Sequence, residues 1–377
     1  MTNFPLLKLP AVALHEVIKM MMPMEIFKLA MCSFQIESFL RHRKYKTDGL
    51  NIISKDYASK IYIRHSNGCQ SILFKSTTSH SMETPVRKLE QLRNRYTRED
   101  DEYMYLTVVN LNEIFDIQRS LCGICHVPFL EWIFIAELLR NNQFFQLLHK
   151  VLKTEYNQLT FFGGRLSESM LTEVLDKVPA TKELSIYSDI PSTFDHPNAL
   201  KHFLTYFYDA RWVKLESLFS IRNVDTVKLE RTNFDCSDLN KFLRYWVNCD
   251  EFMLRSLEIG LNHGTVYDED VITDQLTTVS NHGKIFMKSR RDAGQKYVVG
   301  RLELHKTIVI FSTWDPNEKY SDIFEILDRK RELEEKIAEI KRKTCESEVR
   351  EGLISVELEE LNKQLIELDL ATATFES

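Results

Sequence analysis

The spacing of apolar residues changes along the chain, and each change predicts a different kind of structure. Apolar positions recur every three or four residues within 4–45, which predicts short amphipathic helices. Residues 50–155 begin with an alternating β-hairpin pattern and continue into a connecting helical region. Residues 156–312 alternate short apolar runs with amphipathic helices, and 322–370 follow a heptad pattern. We therefore expect a mixed fold of the α+β or α/β class.

The N-terminal segment is predicted to form three helices. Leu14, Val17 and Ile18 lie at the spacing of one helix face. Pro23 cannot continue that helix but suits the first turn of a second one, and Ser33 is a suitable N-cap for a third. Three helices of this length are too few to bury their own apolar surface. They must pack either on the rest of the chain or on a partner.

A β-hairpin is predicted next. Ile61 and Ile63 alternate with polar neighbours, and Asn67-Gly68 supplies the residue pair that tight hairpin turns favour. The segment 76–88 is rich in turn-forming residues and predicts a loop.

The region 156–312 repeats the order strand, cap, helix, strand. Ser167 and Ser237 lie where helix N-caps are expected. The two helices that follow carry apolar stripes, which predict their buried faces: Met170, Leu171, Val174 and Leu175 in the first, and Leu239, Phe242, Leu243 and Trp246 in the second.

The strand leucines of this region indicate an irregular array similar to leucine-rich repeats. Leu159 and Leu184 are separated by one repeat length, as are Leu229 and Leu257. The interval between Leu184 and Leu229 is longer, and the stretch 196–208 predicts an additional helix within it. Each repeat would bury its face only by stacking on the next.

The C-terminal segment is a coiled-coil candidate, formed either by one long helix or by a helical hairpin. Polar residues fill the middle of the heptad register next to Gly352, and this break keeps the hairpin open as an alternative. Self-association through the segment is possible. The predicted seam comprises Leu333, Ile337, Ile340, Leu358, Leu361, Leu365 and Leu368.

Composition excludes several classes of function. A chain of 377 residues is long enough for two or three domains. Its 49 basic and 55 acidic residues give a net charge of −6, so it lacks the positive field that nucleic acids require. Seven scattered cysteines and the lack of a signal sequence indicate an intracellular protein, cytoplasmic or nuclear. No apolar run is long enough to span a membrane.

Motifs for catalysis or cofactor binding are weak. Cys122-Gly-Ile-Cys125 has the spacing of a zinc knuckle, but the sequence contains no second pair to complete four ligands. Gly163-Gly164 follows a predicted strand without the further glycines of a phosphate-binding loop. We expect no catalytic residue, no metal and no cofactor.

The N-terminal segment resembles the F-box, the module that binds the Skp-type adaptor of a cullin-RING ubiquitin ligase. Leu-Pro, the apolar first helix and Pro23 occur in the family's order, and the lead-in FPLLK looks like its nematode form. Met22 stands where the family usually has Asp or Asn. The resemblance implies adaptor contacts by Leu9, Pro10, Leu14, Val17, Pro23 and Ile26.

A second resemblance lies in the body of the chain. Residues 214–260 resemble the type-2 nematode F-box-associated domain, and 290–311 look like the hairpin that closes such proteins. Together the resemblances imply a non-catalytic substrate-recognition subunit, which binds the adaptor at one end and an unidentified protein target with its body. The alternative is a scaffold that assembles through the C-terminal coiled coil.

Overall fold

A computed structural model describes most of the chain. The described residues are 6–54, 58–66, 68–76, 96–99, 103–108, 111–139, 141–260, 267–290, 297–315, 320–345 and 351–373. The chain divides into two compact units, Met1–Leu166 and Ser167–Ser377. Each combines helices with a sheet of mixed strand direction, which confirms the expected mixed class.

The first unit begins with the three predicted helices, and Pro23 starts the second as expected. Its helices are α1 (Ala11–Lys19), α2 (Pro23–Cys32), α3 (Phe34–Arg43), α4 (Leu111–Ile124) and α5 (Asn141–Val151), with 3-10 turns at Leu6–Lys8 and Ala136–Leu138. Its strands are β1 (Tyr45–Lys46), β2 (Gly49–Ser54), β3 (Ala58–His65), β4 (Gly68–Ser76), β5 (Tyr96–Glu99), β6 (Tyr103–Val108), β7 (Cys125–His126), β8 (Leu130–Ile135) and β9 (Gln158–Phe162).

The main sheet of this unit has the strand order β9-β8-β2-β3-β4-β6-β5, and β1 pairs separately with β7. Strands β3 and β4 are antiparallel neighbours from His65 opposite Gly68 onward, which confirms the predicted hairpin. The turn residue Asn67 and the predicted loop beyond Ser76 lie outside the described residues.

The core of the first unit forms where helices cover the buried side of β8. Leu130, Trp132 and Phe134 alternate with half-buried residues along this strand, as expected for a sheet covered on one face. The Trp132 ring stacks on Phe115 of α4 at a centroid distance of 4.7 Å. The Phe134 ring lies 6.0 Å from Phe144 of α5. Both helices are thereby fixed on the sheet by aromatic contacts.

The second unit contains the remaining elements. Its helices are α6 (Glu168–Lys177), α7 (Leu215–Phe219), α8 (Cys236–Asn248), α9 (Glu269–Thr273), α10 (Ser321–Cys345) and α11 (Glu351–Ala373). Its strands are β10 (Glu183–Ile186), β11 (Leu204–Phe207), β12 (Val224–Leu229), β13 (Leu254–Gly260), β14 (Thr278–Asn281), β15 (Lys284–Lys288), β16 (Val299–Leu304) and β17 (Ile308–Trp314).

Strands β10 to β13 are parallel neighbours in sequence order, and β17, β16, β15 and β14 follow β13 with antiparallel pairing. The expected helix within 196–208 is wrong, because this stretch supplies β11 instead. Thr205 and Phe207 are buried while Tyr206 is half-buried, which is the two-residue period of a strand. Backbone bonds from both neighbouring strands favour this conformation over a helix.

Parallel pairing aligns apolar side chains across the sheet. Phe207 is opposite Leu229, and Leu229 is opposite Ile259. Helix α8 covers this face, since Trp246 meets Phe311 of β17 edge to face at 4.9 Å. All eight residues of the two predicted helical stripes are buried, which confirms the predicted inner faces of α6 and α8.

Two of the three predicted helix caps are correct. The Ser33 hydroxyl accepts a hydrogen bond from the Gln35 N–H at 3.1 Å, at the start of α3. The Ser167 hydroxyl accepts a hydrogen bond from the Met170 N–H at 3.3 Å, at the start of α6. Ser237 lies inside α8 rather than at its cap, so that prediction is wrong. Asp235 is the cap: its carboxylate accepts from the Asp238 N–H at 2.9 Å, and the Asp238 carboxylate accepts from the Asp235 N–H at 3.4 Å. This reciprocal pair starts the helix before Ser237.

The C-terminal helices fold back on each other as a hairpin. Lys330, in the first half of α10, forms a 2.6 Å ion pair with Asp369 near the end of α11. Of the predicted seam, Leu333 and Ile337 are buried and Ile340, Leu358, Leu361, Leu365 and Leu368 are half-buried. Helix α10 also joins the core of the unit, because Ile323 and Leu327 pack with apolar residues of β14, β15 and β16. The tail is therefore part of the second unit.

No helix among the described residues is long and apolar enough to cross a bilayer.

The buried histidine His202 predicts a pH dependence of stability. Burial, with a contribution from neighbouring Lys201, lowers its pKa from 6.5 to about 4. Below pH 6.5 the imidazole of His202 is protonated in the unfolded chain, whereas in the folded chain it stays neutral down to about pH 4. The free energy of unfolding should therefore fall by about 2 kcal/mol between pH 7 and pH 5 through this group.

Thermal unfolding across this pH range tests the prediction. We expect the His202→Gln variant to lose stability less steeply than the wild type as the pH falls. The exposed His282 provides the control, because His282→Gln should leave the wild-type slope unchanged. The same loss of thermal stability with falling pH in the wild type and in His202→Gln would contradict the prediction.

Candidate functional site

The six residues implicated by the F-box resemblance occupy two different environments. Leu14, Pro23 and Ile26 are buried inside the first unit. Leu9 is half-buried, Pro10 is exposed and Val17 is 38% exposed. The first three residues hold the helices together, and the other three present surface that a partner can reach.

Helices α1 and α2 are fixed to strands of their own unit. The Met24 N–H, which has no partner within its helix, donates to Oε1 of Gln70 on β4 at 2.9 Å. Nδ1 of His15 lies 3.2 Å from the hydroxyl of Tyr45 on β1. Burial raises the pKa of Tyr45. The three-helix segment is thus attached to the sheet.

Helix α3 contains an ion pair formed by a buried acid. The carboxylate Oε1 of Glu37 accepts from Nη2 of Arg41 at 2.6 Å and from its Nε at 3.0 Å. The Arg41 guanidinium lies against Gly123 of α4, where an added Cβ would be 2.2 Å from Nη1. A side chain at position 123 would therefore require the end of the Arg41 side chain to move.

An apolar surface remains on the outer side of α1. Val12 is 73% exposed, Met20 is 86% exposed and Val17 is 38% exposed, and the exposed ion pair of Glu16 with Lys19 lies between them in the sequence. We call these three residues the α1 outer surface. Several exposed apolar side chains in one short helical segment are a candidate interaction site.

A second surface is the side of the parallel sheet opposite α8, here called the open face. It includes Tyr206 of β11, whose hydroxyl donates to Oε1 of Glu230 at 2.8 Å. The Tyr187 ring lies 4.6 Å from the Tyr206 ring, and the Arg231 guanidinium lies 4.5 Å from the centre of the Tyr208 ring. Tyrosine and arginine dominate the binding energy of many protein interfaces.

The electrostatics of the open face keep Tyr206 neutral. Burial and the neighbouring Glu230 carboxylate both disfavour the phenolate and raise the pKa of Tyr206. Next to it, Lys228 and Glu258 form a 2.8 Å ion pair. The face thus combines a neutral aromatic group with paired charges, which suits hydrogen bonding and stacking more than proton transfer.

The cysteine pair singled out by its spacing is separated from other ligands. Cys122 is half-buried at the end of α4, and Cys125 is buried on β7. Burial raises the pKa of Cys125 to about 12, so its thiol is protonated at neutral pH. Among the residues that the structure describes, no group of three or more potential ligands could hold a metal ion.

Two comparisons with known proteins bear on these surfaces. Residues 196–259 match the family model described as F-box associated. The chain is also 22% identical, over 288 residues, to the Skn-1 dependent zygotic transcript 15 protein of Caenorhabditis elegans, covering 68% of this chain and 79% of that protein. No solved structure matches the chain.

The chain is thus similar to F-box-associated domains over 196–259 and, over a longer stretch, to a nematode protein. The matched region contains Tyr206 and Tyr208 of the open face, together with Lys228 and Glu258. It does not include the α1 outer surface. That surface lies in the N-terminal segment, whose likeness to the F-box rests on the sequence resemblance alone.

Sequence reasoning missed most of both surfaces. Tyr206 and Tyr208 alternate with buried residues, which is the signal of an outward strand face, whereas the apolar spacing of 196–208 predicts a helix. Val12 and Met20 lie beside the predicted helix stripe and were not included in it. Whether an apolar residue faces inward or outward depends on what covers the helix, and spacing alone does not determine this.

The two environments of the N-terminal residues predict different mutational effects. Ile26→Ala should lower the free energy of unfolding by about 2 to 5 kcal/mol, because it leaves a cavity around a side chain that is only 4% exposed. Val17→Ala should change it by less than about 1 kcal/mol. Urea unfolding followed by circular dichroism measures both, and similar losses for the two variants would contradict the assignment of inner and outer residues.

Proposed function

We propose that this chain is the substrate-recognition subunit of a cullin-RING ubiquitin ligase. The F-box-associated match over 196–259 is the observation that carries the proposal. The three-helix segment at the N-terminus and its resemblance to the F-box supply the second half of the argument. In this role the chain binds a Skp-type adaptor with its first unit and a protein target with its second.

The α1 outer surface is the proposed centre of adaptor binding. Leu9, Pro10 and Val17 combine the family resemblance with accessible surface. Leu14, Pro23 and Ile26 would reach the adaptor only through the small part of each side chain that remains accessible, so their main role is to hold α1 and α2 in place. Burying exposed valine and methionine side chains would stabilise the complex through the hydrophobic effect.

The chain needs no catalytic residue for this role. Ubiquitin transfer is performed by other subunits, and a receptor raises the rate by holding its target close to them. The proposed site of action is the cytoplasm or nucleus.

The alternative, a scaffold that assembles through the C-terminal helices, is less well supported. Leu333 and Ile337 are buried within the same chain, so a second copy cannot reach them while the α10–α11 hairpin is closed. Ile366 is 60% exposed on α11 and remains accessible to a partner. The receptor role instead uses surfaces that are already exposed in the folded chain.

Co-purification with a Skp-type adaptor tests the receptor role. We expect the wild-type chain to retain the adaptor and a Val17→Glu/Met20→Glu variant to weaken it by about tenfold or more, because each glutamate places a charge in an apolar contact. Surface substitutions are preferable to deletion of the helices, since deletion would expose the strands beneath α2.

Ile366→Glu is the matched control, an exposed apolar residue changed to glutamate in a helix of the second unit. It should bind the adaptor as the wild type does, and circular dichroism should show all three proteins folded. Failure of the wild type to bind, or equal binding by the double variant, would count against the receptor role. Self-association that is lost in Ile366→Glu would instead favour the scaffold.

A further inference from the structure

A small cavity of about 220 Å³ lies within the second unit, between the segment 195–200 that precedes β11 and helix α7 that follows it. Pockets that hold whole small-molecule ligands start at about 300 Å³, so this cavity suits a group of the size of one side chain. Its lining combines apolar residues of the segment 195–200 with polar residues of α7 and the residue that follows α7. The proposed function assigns no role to it.

The wall formed by the segment 195–200 is apolar and held by its own backbone. Ala199 is 1% exposed and Leu200 is 4% exposed. The Ala199 N–H donates to the His196 carbonyl at 3.2 Å, which closes a turn. The Asn198 N–H points at Nδ1 of His196 at 3.2 Å, so this nitrogen accepts and the ring is neutral. The wall therefore brings apolar surface but no positive charge to the cavity.

The α7 side of the cavity carries a carboxylate without a partner. Asp195 forms an ion pair with Lys214, so these two charges cancel. Glu216 is exposed, and within the described part of the chain no side chain forms an ion pair or hydrogen bond with its carboxylate. The Ser220 hydroxyl donates to the Ser217 carbonyl at 2.8 Å, which leaves the hydroxyl oxygen able to accept. The cavity thus offers several acceptors and one net negative charge.

We propose that this cavity binds a lysine side chain of a target protein, with the ammonium group at Glu216 and the methylene stem against Ala199 and Leu200. Lysine combines an apolar four-carbon stem with a compact charged end that carries three donors. These donors match the Glu216 carboxylate and the hydroxyl oxygens of Ser217 and Ser220. Arginine fits less well, because its planar guanidinium is larger than an ammonium group and the cavity is small.

This inference rests on the proposed function and deepens it, because it names a side chain by which the second unit would recognise its target. It makes the target a protein with a lysine on an accessible segment. Acetylation of that lysine would remove its charge and weaken binding.

Methyl NMR titration of the full-length chain tests the proposal. The probe is a glycine-alanine peptide with one central lysine, and the same peptide with norleucine keeps the stem but lacks the charge. We expect the lysine peptide to shift the methyl signals of Ala199 and Leu200 and to bind about fivefold tighter than the norleucine peptide. A peptide with arginine at the same position should bind more weakly than the lysine peptide.

Glu216→Gln is the informative variant, because it removes the charge and keeps the shape of the side chain. It should weaken binding of the lysine peptide about fivefold and leave the norleucine peptide unchanged. Glu335→Gln is the matched control, since Glu335 is an exposed glutamate of α10 in the same unit, and it should bind both peptides as the wild type does. Circular dichroism should show both variants folded.

Four results would overturn the proposal: equal binding of the lysine and norleucine peptides, tighter binding of the arginine peptide, full affinity in Glu216→Gln, or unchanged signals of Ala199 and Leu200. The Glu216→Gln variant should still co-purify with the Skp-type adaptor. Lysine-peptide binding by a chain that does not bind the adaptor would contradict the receptor role alone. Adaptor binding without lysine-peptide binding would contradict this inference alone.

Discussion

Burial of only one side of each helix and strand is the constraint on which the rest of this structure depends. In α1, Leu14 and Ile18 are buried, while Val12, on the opposite side of the helix, is 73% exposed. In β11, Thr205 and Phe207 are buried, so Tyr206 faces the other way. The same rule that builds each core therefore creates the α1 outer surface and the open face.

The N-terminal helices show how closely the two roles are linked. A hydrogen bond from Met24 to Gln70 and the burial of Ile26 and Phe27 hold α2 in the first unit. These contacts position α1 so that its outer side remains exposed. In the proposed role, packing on the same chain and binding to a partner would therefore involve different sides of the same helices.

Much of the fold could be predicted because local patterns and local chemistry agree with it. The alternation around Ile61 and Ile63 and the proline at the start of α2 are signals within a few residues. Strand β11 could not be predicted in this way, because its partners in β10 and β12 are distant in sequence and supply its backbone bonds. The cap at Asp235 was missed since a nearby serine offered the same chemistry.

The functional surfaces were less predictable than the fold, for a related reason. Tyr206, Lys228 and Glu258 are far apart in sequence, and only the pairing of β11, β12 and β13 places them side by side on the open face. Sequence spacing carried no sign of this arrangement. The heptad pattern of α10 similarly carried no sign that Ile323 and Leu327 pack on the sheet.

Hydrogen exchange of the full chain, with and without a Skp-type adaptor, tests the central claim most directly. The account predicts added protection in α1 and at the Leu9-Pro10 segment before it, with α10 and α11 unchanged. Protection confined to α10 and α11, or no change in α1 at saturating adaptor, would contradict it.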